Sequence, residues 1–216
     1  MWALNATVLQ VTQDAEIALS TTVERRESRA SLLTSIDMTA ATTDASDTDG
    51  RPPTATPEVT IEAPEIADGV AMHRMAAESG VLDVNSRYAY LIWCRDFAAT
   101  SVVARMNGQV VGFVTGFRRP EAQDTVVVWQ VAVDPVTRGA GVGGRMLDTL
   151  FDRVPGAAYM ETTVTPDNES SNRMFVSFAT RRNADFERAE LFSGELLGAG
   201  HEPEMLYRIG PIAPQD

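Results

Sequence analysis

The sequence predicts a mixed α/β domain behind an N-terminal extension, on three observations. Runs rich in β-branched residues alternate with segments of helical spacing, an Asn107-Gly108 pair divides two apolar runs, and a strand-like run feeds a glycine-rich loop at the start of a helix. In order, residues 66–78 and 86–97 have the apolar spacing of amphipathic helices. Residues 101–105 and 109–118 read as strands joined at Asn107-Gly108, a pair suited to a two-residue hairpin with positive φ at both positions. A third strand runs over 125–133 and must stop at Asp134-Pro135, because proline cannot continue a sheet ladder. A helix over 143–154, a strand over 159–164, a helix over 168–179 and two closing strands over 185–191 and 204–209 complete the pattern.

Residues 34–60 are dominated by Thr, Ala, Asp, Ser and Pro, a composition that buries too little apolar surface to offset the entropy of ordering. We therefore expect a disordered extension over 1–60 and a folded domain over 61–216. The hydrophobic content of 44% is enough for one core. The formal net charge of -12 speaks against nucleic acid or an anionic membrane as partner, since phosphates would repel the protein. It suits a cationic substrate, although acidity also serves plain solubility. The lone Cys94 cannot form an intramolecular disulfide and reads as a buried thiol; no metal is expected. No apolar run approaches the ~20 residues of a membrane span, and the first residues lack the basic start of a secretory signal, so a cytoplasmic location is expected.

Residues 125–145, TVVVWQVAVDPVTRGAGVGGR, state a chemistry. Gly139, Gly141, Gly143 and Gly144 clear the side chains from a helix N-terminus, so that backbone N–H groups can face a phosphate, and Arg138 adds positive charge at the rim. The string satisfies the dinucleotide fingerprint G-x-G-x-x-G, with Glu161 near the place of a ribose-binding acid. It equally satisfies the Arg/Gln-x-x-Gly-x-Gly/Ala loop of the GCN5-related N-acetyltransferases, through Arg138, Gly141 and Gly143. Against the first reading, a dinucleotide fold needs further βα units behind the loop, and only one further helical segment follows.

The downstream helix extends the second resemblance. Asn168, Ser171, Met174 and Phe175 stand where these acetyltransferases carry Asn-x-x-Ala-x-x-Leu-Tyr. Phe175 departs from the pattern, because the family's tyrosine often protonates the leaving thiolate and phenylalanine has no hydroxyl. Four blocks, 82–105, 128–135, 161–171 and 201–210, resemble the diaminobutyrate acetyltransferases of ectoine biosynthesis. This resemblance implies a mostly antiparallel mixed sheet that is splayed in the middle and flanked by helices. It further implies acetyl-CoA as cosubstrate, transfer to the γ-amine of L-2,4-diaminobutyrate, and a homodimer. Pantetheine would add to the strand backbone at Val131 and Val133, the pyrophosphate would lie at Arg138, Gly139, Gly141 and Gly143, and Asn168, Ser171 and Phe175 would border the thioester. Asp83, Tyr88, Trp129, His201 and Glu204 would line the acceptor pocket.

An amine with pKa near 10 is only about 0.1% neutral at pH 7, so presenting it as the free base costs roughly 4 kcal/mol. Glu161, first residue of the ETT block on a strand expected to face the cleft, is the candidate base. Plainer readings stand beside these: Glu161 as a surface acid, Trp129 and Phe175 as core aromatics, His201 as a loop residue. Two other functions remain open, an acetyltransferase for another amine such as a polyamine, an aminoglycoside or a protein N-terminus, and a catalytically silent acyl-CoA-binding module.

Overall fold

The computed structural model describes residues 58–213 apart from Arg138 and Ala199. The extension expected over 1–60 lies outside the described residues as far as Pro57, but its last residues belong to the domain. Strand β1 (Val59–Glu62) begins inside that segment and pairs antiparallel with β2 (Val102–Met106), Thr60 standing opposite Arg105. Alternate β-branched residues explain it: each second side chain of β1 turns inward, a pattern the surrounding Thr, Pro and Asp conceal.

Two helices follow. Helix α1 (Asp68–Ser79) buries Met72, Met75 and Ala76 and ends at Gly80. Helix α2 (Arg87–Asp96) starts at Ser86, whose side chain accepts the Ala89 N–H, and buries Tyr90 and Cys94. Strand β2 turns at Asn107 (φ 53°) and Gly108 (φ 77°) into β3 (Gln109–Arg119), as the hairpin reading expects. Strand β4 (Ala122–Val133) returns antiparallel along β3. Helix α3 (Val142–Asp152) then carries the chain to β5 (Tyr159–Val164), which lies parallel to β4. Helix α4 (Glu169–Arg181), strand β6 (Phe186–Phe192), the short helix α5 (Gly194–Leu197) and strand β7 (Glu204–Ile209) complete the domain.

Among the described residues seven strands form one sheet in the order β1-β2-β3-β4-β5-β7-β6, antiparallel except at β4–β5. Helices α3 and α4 pack on one face through Met146, Leu147, Leu150, Phe175 and Phe178, and helices α1 and α2 on the other through Met72, Tyr90 and Cys94 against Val103 and Phe113. Cys94 is buried as expected, its Sγ 3.4 Å from the Met72 Sδ. Helices α3 and α4 are held to each other by Arg182, whose side chain is 3% exposed and which donates to Asp148 (2.8 Å) and Asp152 (2.7 Å). Those hydrogen bonds, Asp152 first, keep its guanidinium charged.

Two irregularities open the sheet. Thr115 stands opposite Gln130 while Gly116 stands opposite Val128, so Trp129 is an extra residue in β4, a β-bulge that bends the strand. Pairing of β4 with β5 runs over Thr125–Val128 and stops there, although both strands continue. Beyond Val128 and Thr162 the two strands part, which is the splay that the resemblance implies.

Candidate active site

The gap between the parted strands holds a cleft with two limbs. The first, of about 540 Å³, has the β4 residues Val131 and Val133 on its floor, Gly139 at one end, and Asn168, Ser171 and Met174 of the α4 region along its side. Its end is built for an anion. Gly139 (φ 81°) and Gly141 (φ 70°) adopt the left-handed conformation, and Gly141 caps α3 without any side-chain acceptor over the helix's first N–H groups. Gly143 lies where a Cβ would stand 2.8 Å from the Met174 Sδ, so its lack of a side chain also lets α3 approach α4. Arg138, expected beside them, is outside the described residues.

The second limb, of about 480 Å³, shares Val131, Asn168 and Ser171 with the first and extends towards the other face. Asp83 from the α1–α2 connection, Trp129 from the bulge, and Glu204 from the start of β7 converge on it. The bulge turns Trp129 and Gln130 to the same side, where Trp129 stacks on Trp93 of α2 (centroids 6.3 Å apart, planes at 26°) and stays 55% exposed to the limb. Glu204 is half-buried, and its Oε2 is fully buried without a hydrogen-bond partner. An orphaned carboxylate oxygen of this kind is costly unless a ligand meets it. Among the described residues no Arg or His lines this limb; Asn85, Gln130, Thr163 and Thr165 add neutral donors and acceptors.

Residues 70–179 match the sequence model of the acetyltransferase (GNAT) family. The chain belongs to this family. Over 161 residues it is 52% identical to the L-2,4-diaminobutyric acid acetyltransferase of Streptomyces coelicolor, a match covering 72% of this chain and 95% of the relative. To the protein of the same name from Halalkalibacterium halodurans it is 42% identical, over 76% of this chain and 87% of the relative. Among solved structures it is similar to the diaminobutyrate acetyltransferase EctA from Paenibacillus lautus in complex with its substrate L-2,4-diaminobutyric acid and coenzyme A. That likeness has a TM-score of 0.71 at 33% identity and covers 74% of this chain and 99% of the other. The dinucleotide-binding alternative falls with the topology, since the glycine loop follows the fourth strand of a mostly antiparallel sheet.

Within this GNAT domain the first limb gathers Val131, Val133, Gly139, Asn168 and Ser171, and Gly141 and Gly143 form the helix start beside it. Phe175, 2% exposed, borders the second limb and packs in the core, combining both of its readings. The Asn168 side-chain oxygen caps α4 by accepting the Ser171 N–H at 3.1 Å.

Three expected site residues line neither limb. Tyr88 is 71% exposed: the inward side of α2 is set by Tyr90 and Cys94, and a residue two positions before Tyr90 faces away from it. His201 is an exposed loop residue that lines neither limb.

The third is Glu161. It is on the side of β5 that faces the second limb, as Thr163 is, but it stands opposite Val127, where β4 and β5 are still paired. There the sheet is closed, and Glu161 is 4% exposed with both oxygens engaged, by Arg119 Nη1 at 2.7 and 3.0 Å and by Arg208 Nη1. Both oxygens of Glu161 are thus occupied by guanidiniums, and it lines neither limb of the cleft.

The sequence reading missed Asn85, Gln130, Thr163 and Thr165. Each falls inside one of the blocks that carry the resemblance, which was the signal available for them. Among the described residues no group of three His, Cys, Asp or Glu is arranged to hold a metal ion, and no helix is long and apolar enough to cross a membrane.

Proposed function

We propose that this chain transfers the acetyl group of acetyl-CoA to the γ-amine of L-2,4-diaminobutyrate, giving N-γ-acetyldiaminobutyrate for ectoine biosynthesis in the cytoplasm. The observation that carries the reading is the second limb: two carboxylates, one with a buried unpartnered oxygen, at the point where the strands part. The names of the relatives agree with it.

Bound acetyl-CoA supplies the thioester carbonyl. The α3 N-terminus and the glycine loop hold its pyrophosphate, with Arg138 contributing charge, and the free edge of β4 at Val131 and Val133 offers backbone hydrogen bonds to its pantetheine arm. Asp83 and Glu204 hold the α-ammonium of the acceptor, while the amide of Asn85 and the hydroxyls of Thr163 and Thr165 are the donors for its carboxylate. The γ-amine is then left to face the junction of the limbs at Val131 and Ser171. With Glu161 closed off by arginines, the amine loses its proton to water at the mouth of the limb. The rate should therefore rise about tenfold per pH unit towards the pKa of the amine. Phe175 offers no proton to the departing thiolate, and at alkaline pH a thiol with pKa near 8.5 departs without one. Leu191 and Phe192 at the rim of the limb, and Leu196 beyond, are exposed, and we infer that a second copy of the chain covers them in a homodimer.

Thiol release from acetyl-CoA with a panel of acceptors tests the reading. Diaminobutyrate should react, and a diamine of the same length without a carboxylate should be slower by about tenfold or more. Equal rates would transfer the reading to polyamines, and no release with any amine would leave an acyl-CoA-binding module.

A further inference from the structure

The connection between α1 and α2, residues 80–86, carries Asp83 yet has no helix or strand of its own. Its middle is tied to the sheet by one side chain. Gln130, the residue after the bulge, donates through Nε2 to the Asp83 carbonyl at 2.8 Å and accepts at Oε1 from the Tyr90 hydroxyl at 2.9 Å. Its own backbone N–H is fixed by the Thr115 Oγ1 at 3.2 Å. Tyr90 is 0% exposed and its ring is wedged edge-on against Phe113 and His73, with centroids 6.1 and 5.8 Å away.

This chain of bonds has a direction. A side-chain amide can turn over at little cost when nothing distinguishes its ends, and a turned Gln130 would point oxygen at the Asp83 carbonyl. With the phenol donating to Oε1, Nε2 is left for Asp83; a turned amide could still meet the hydroxyl as an acceptor but would lose its bond to the Asp83 carbonyl, which can only accept. Burial pushes the Tyr90 hydroxyl up from its ordinary pKa, which keeps it a donor.

We propose that Tyr90 and Gln130 are positioning residues for the acceptor, holding Asp83 over the second limb through this directed pair of hydrogen bonds. The inference rests on Asp83 being a partner of the acceptor ammonium, as proposed above. Tyr90 lines neither limb, so its influence on the acceptor passes through the limb residues beside its hydroxyl, Gln130 and Asn85, and only Gln130 bonds Asp83.

The test is steady-state kinetics of Tyr90→Phe and Gln130→Met, with each substrate varied in turn. Each substitution should raise KM for diaminobutyrate about tenfold and leave KM for acetyl-CoA within about twofold, and the pair together should cost no more than Gln130→Met alone. In an Asp83→Ala background Tyr90→Phe should have no further effect on the acceptor KM. If both KM values move together, or the acceptor KM stays put, the pair only supports the fold and the proposal fails. If Tyr90→Phe does not fold, Gln130→Met decides by the same split. An Asp83→Ala enzyme with unchanged acceptor KM would overturn instead the assignment of Asp83, and this proposal with it.

Discussion

Replacing Glu204 by glutamine removes one charge and almost no volume at the place where β7 meets the second limb. Its Oε2 is buried and unpartnered, so an acceptor ammonium meeting it would satisfy a group already deprived of water. A carboxylate and an ammonium about 4 Å apart attract by roughly 4 kcal/mol at an effective dielectric constant of about 20. Glu204 as a whole is half-buried, and stripping water from the ammonium offsets part of the attraction, leaving roughly 2–3 kcal/mol. Glu204→Gln should thus lower kcat/KM for diaminobutyrate about 30- to 150-fold. The affinity for acetyl-CoA should not change, because Glu204 lines only the second limb. Stability should move the other way or stay level, since the change relieves an unsatisfied buried anion. Thiol release with the acceptor varied at saturating acetyl-CoA, together with a thermal melt, reads both effects. Unchanged kcat/KM for diaminobutyrate would refute the role given to Glu204, and a melting temperature several degrees lower would show that its carboxylate holds the fold instead.

Glu161→Gln should act on stability and not on chemistry: with Arg119 and Arg208 partly exposed the loss should be about 1–3 kcal/mol in denaturant unfolding, with kcat within about threefold. A fall in kcat concentrated at low pH would restore it as the base. Gly141→Ala places a methyl at φ 70° on the α3 cap, which costs about 1 kcal/mol in conformation alone and crowds the anion end of the first limb. Calorimetry should show coenzyme A binding weakened about tenfold, and unchanged affinity would separate the loop from the phosphate. A chain beginning at Pro57 should keep its melting temperature and activity. One beginning at Ala63 loses β1, with the Arg145 bond to the Val59 carbonyl and the Glu62–Arg105 pair, and should melt lower.

Legibility followed how local the determinants are. Strands β5 and β7 have the bounds the sequence predicts, because turn residues close each apolar run on both sides. Asn107-Gly108 was readable because few pairs tolerate positive φ at both positions. Strand β1 was not, since four residues amid Thr and Pro carry too little pattern, and only pairing with β2 makes them a strand. The bulge at Trp129 was equally hidden: in a run as uniformly apolar as 125–133 an extra residue leaves no break in alternation. The arginine pairing of Glu161 was hidden for the same reason. The face that residue occupies follows from counting along β5, but whether the sheet is open or closed at its level depends on β4, and the two arginines that hold it lie 42 and 47 residues away. Of the site, the glycine loop and the α4 start were legible as motifs, whereas Asn85 and Gln130 became visible only when the α1–α2 connection was seen to fold over the sheet.

The extra residue in β4 divides one strand into two territories with different tolerance to change. After the bulge the strand offers its free backbone edge at Val131 and Val133, whose hydrogen-bonding groups are the same whatever the side chains. Before and at the bulge Val127 and Trp129, with Phe117 of β3 opposite Val127, line the acceptor limb instead. Mutational drift can therefore reshape which amine is accepted without disturbing how the acyl donor is held, so laboratory evolution towards a new acceptor is best aimed at those three positions, with 130–133 left as they are.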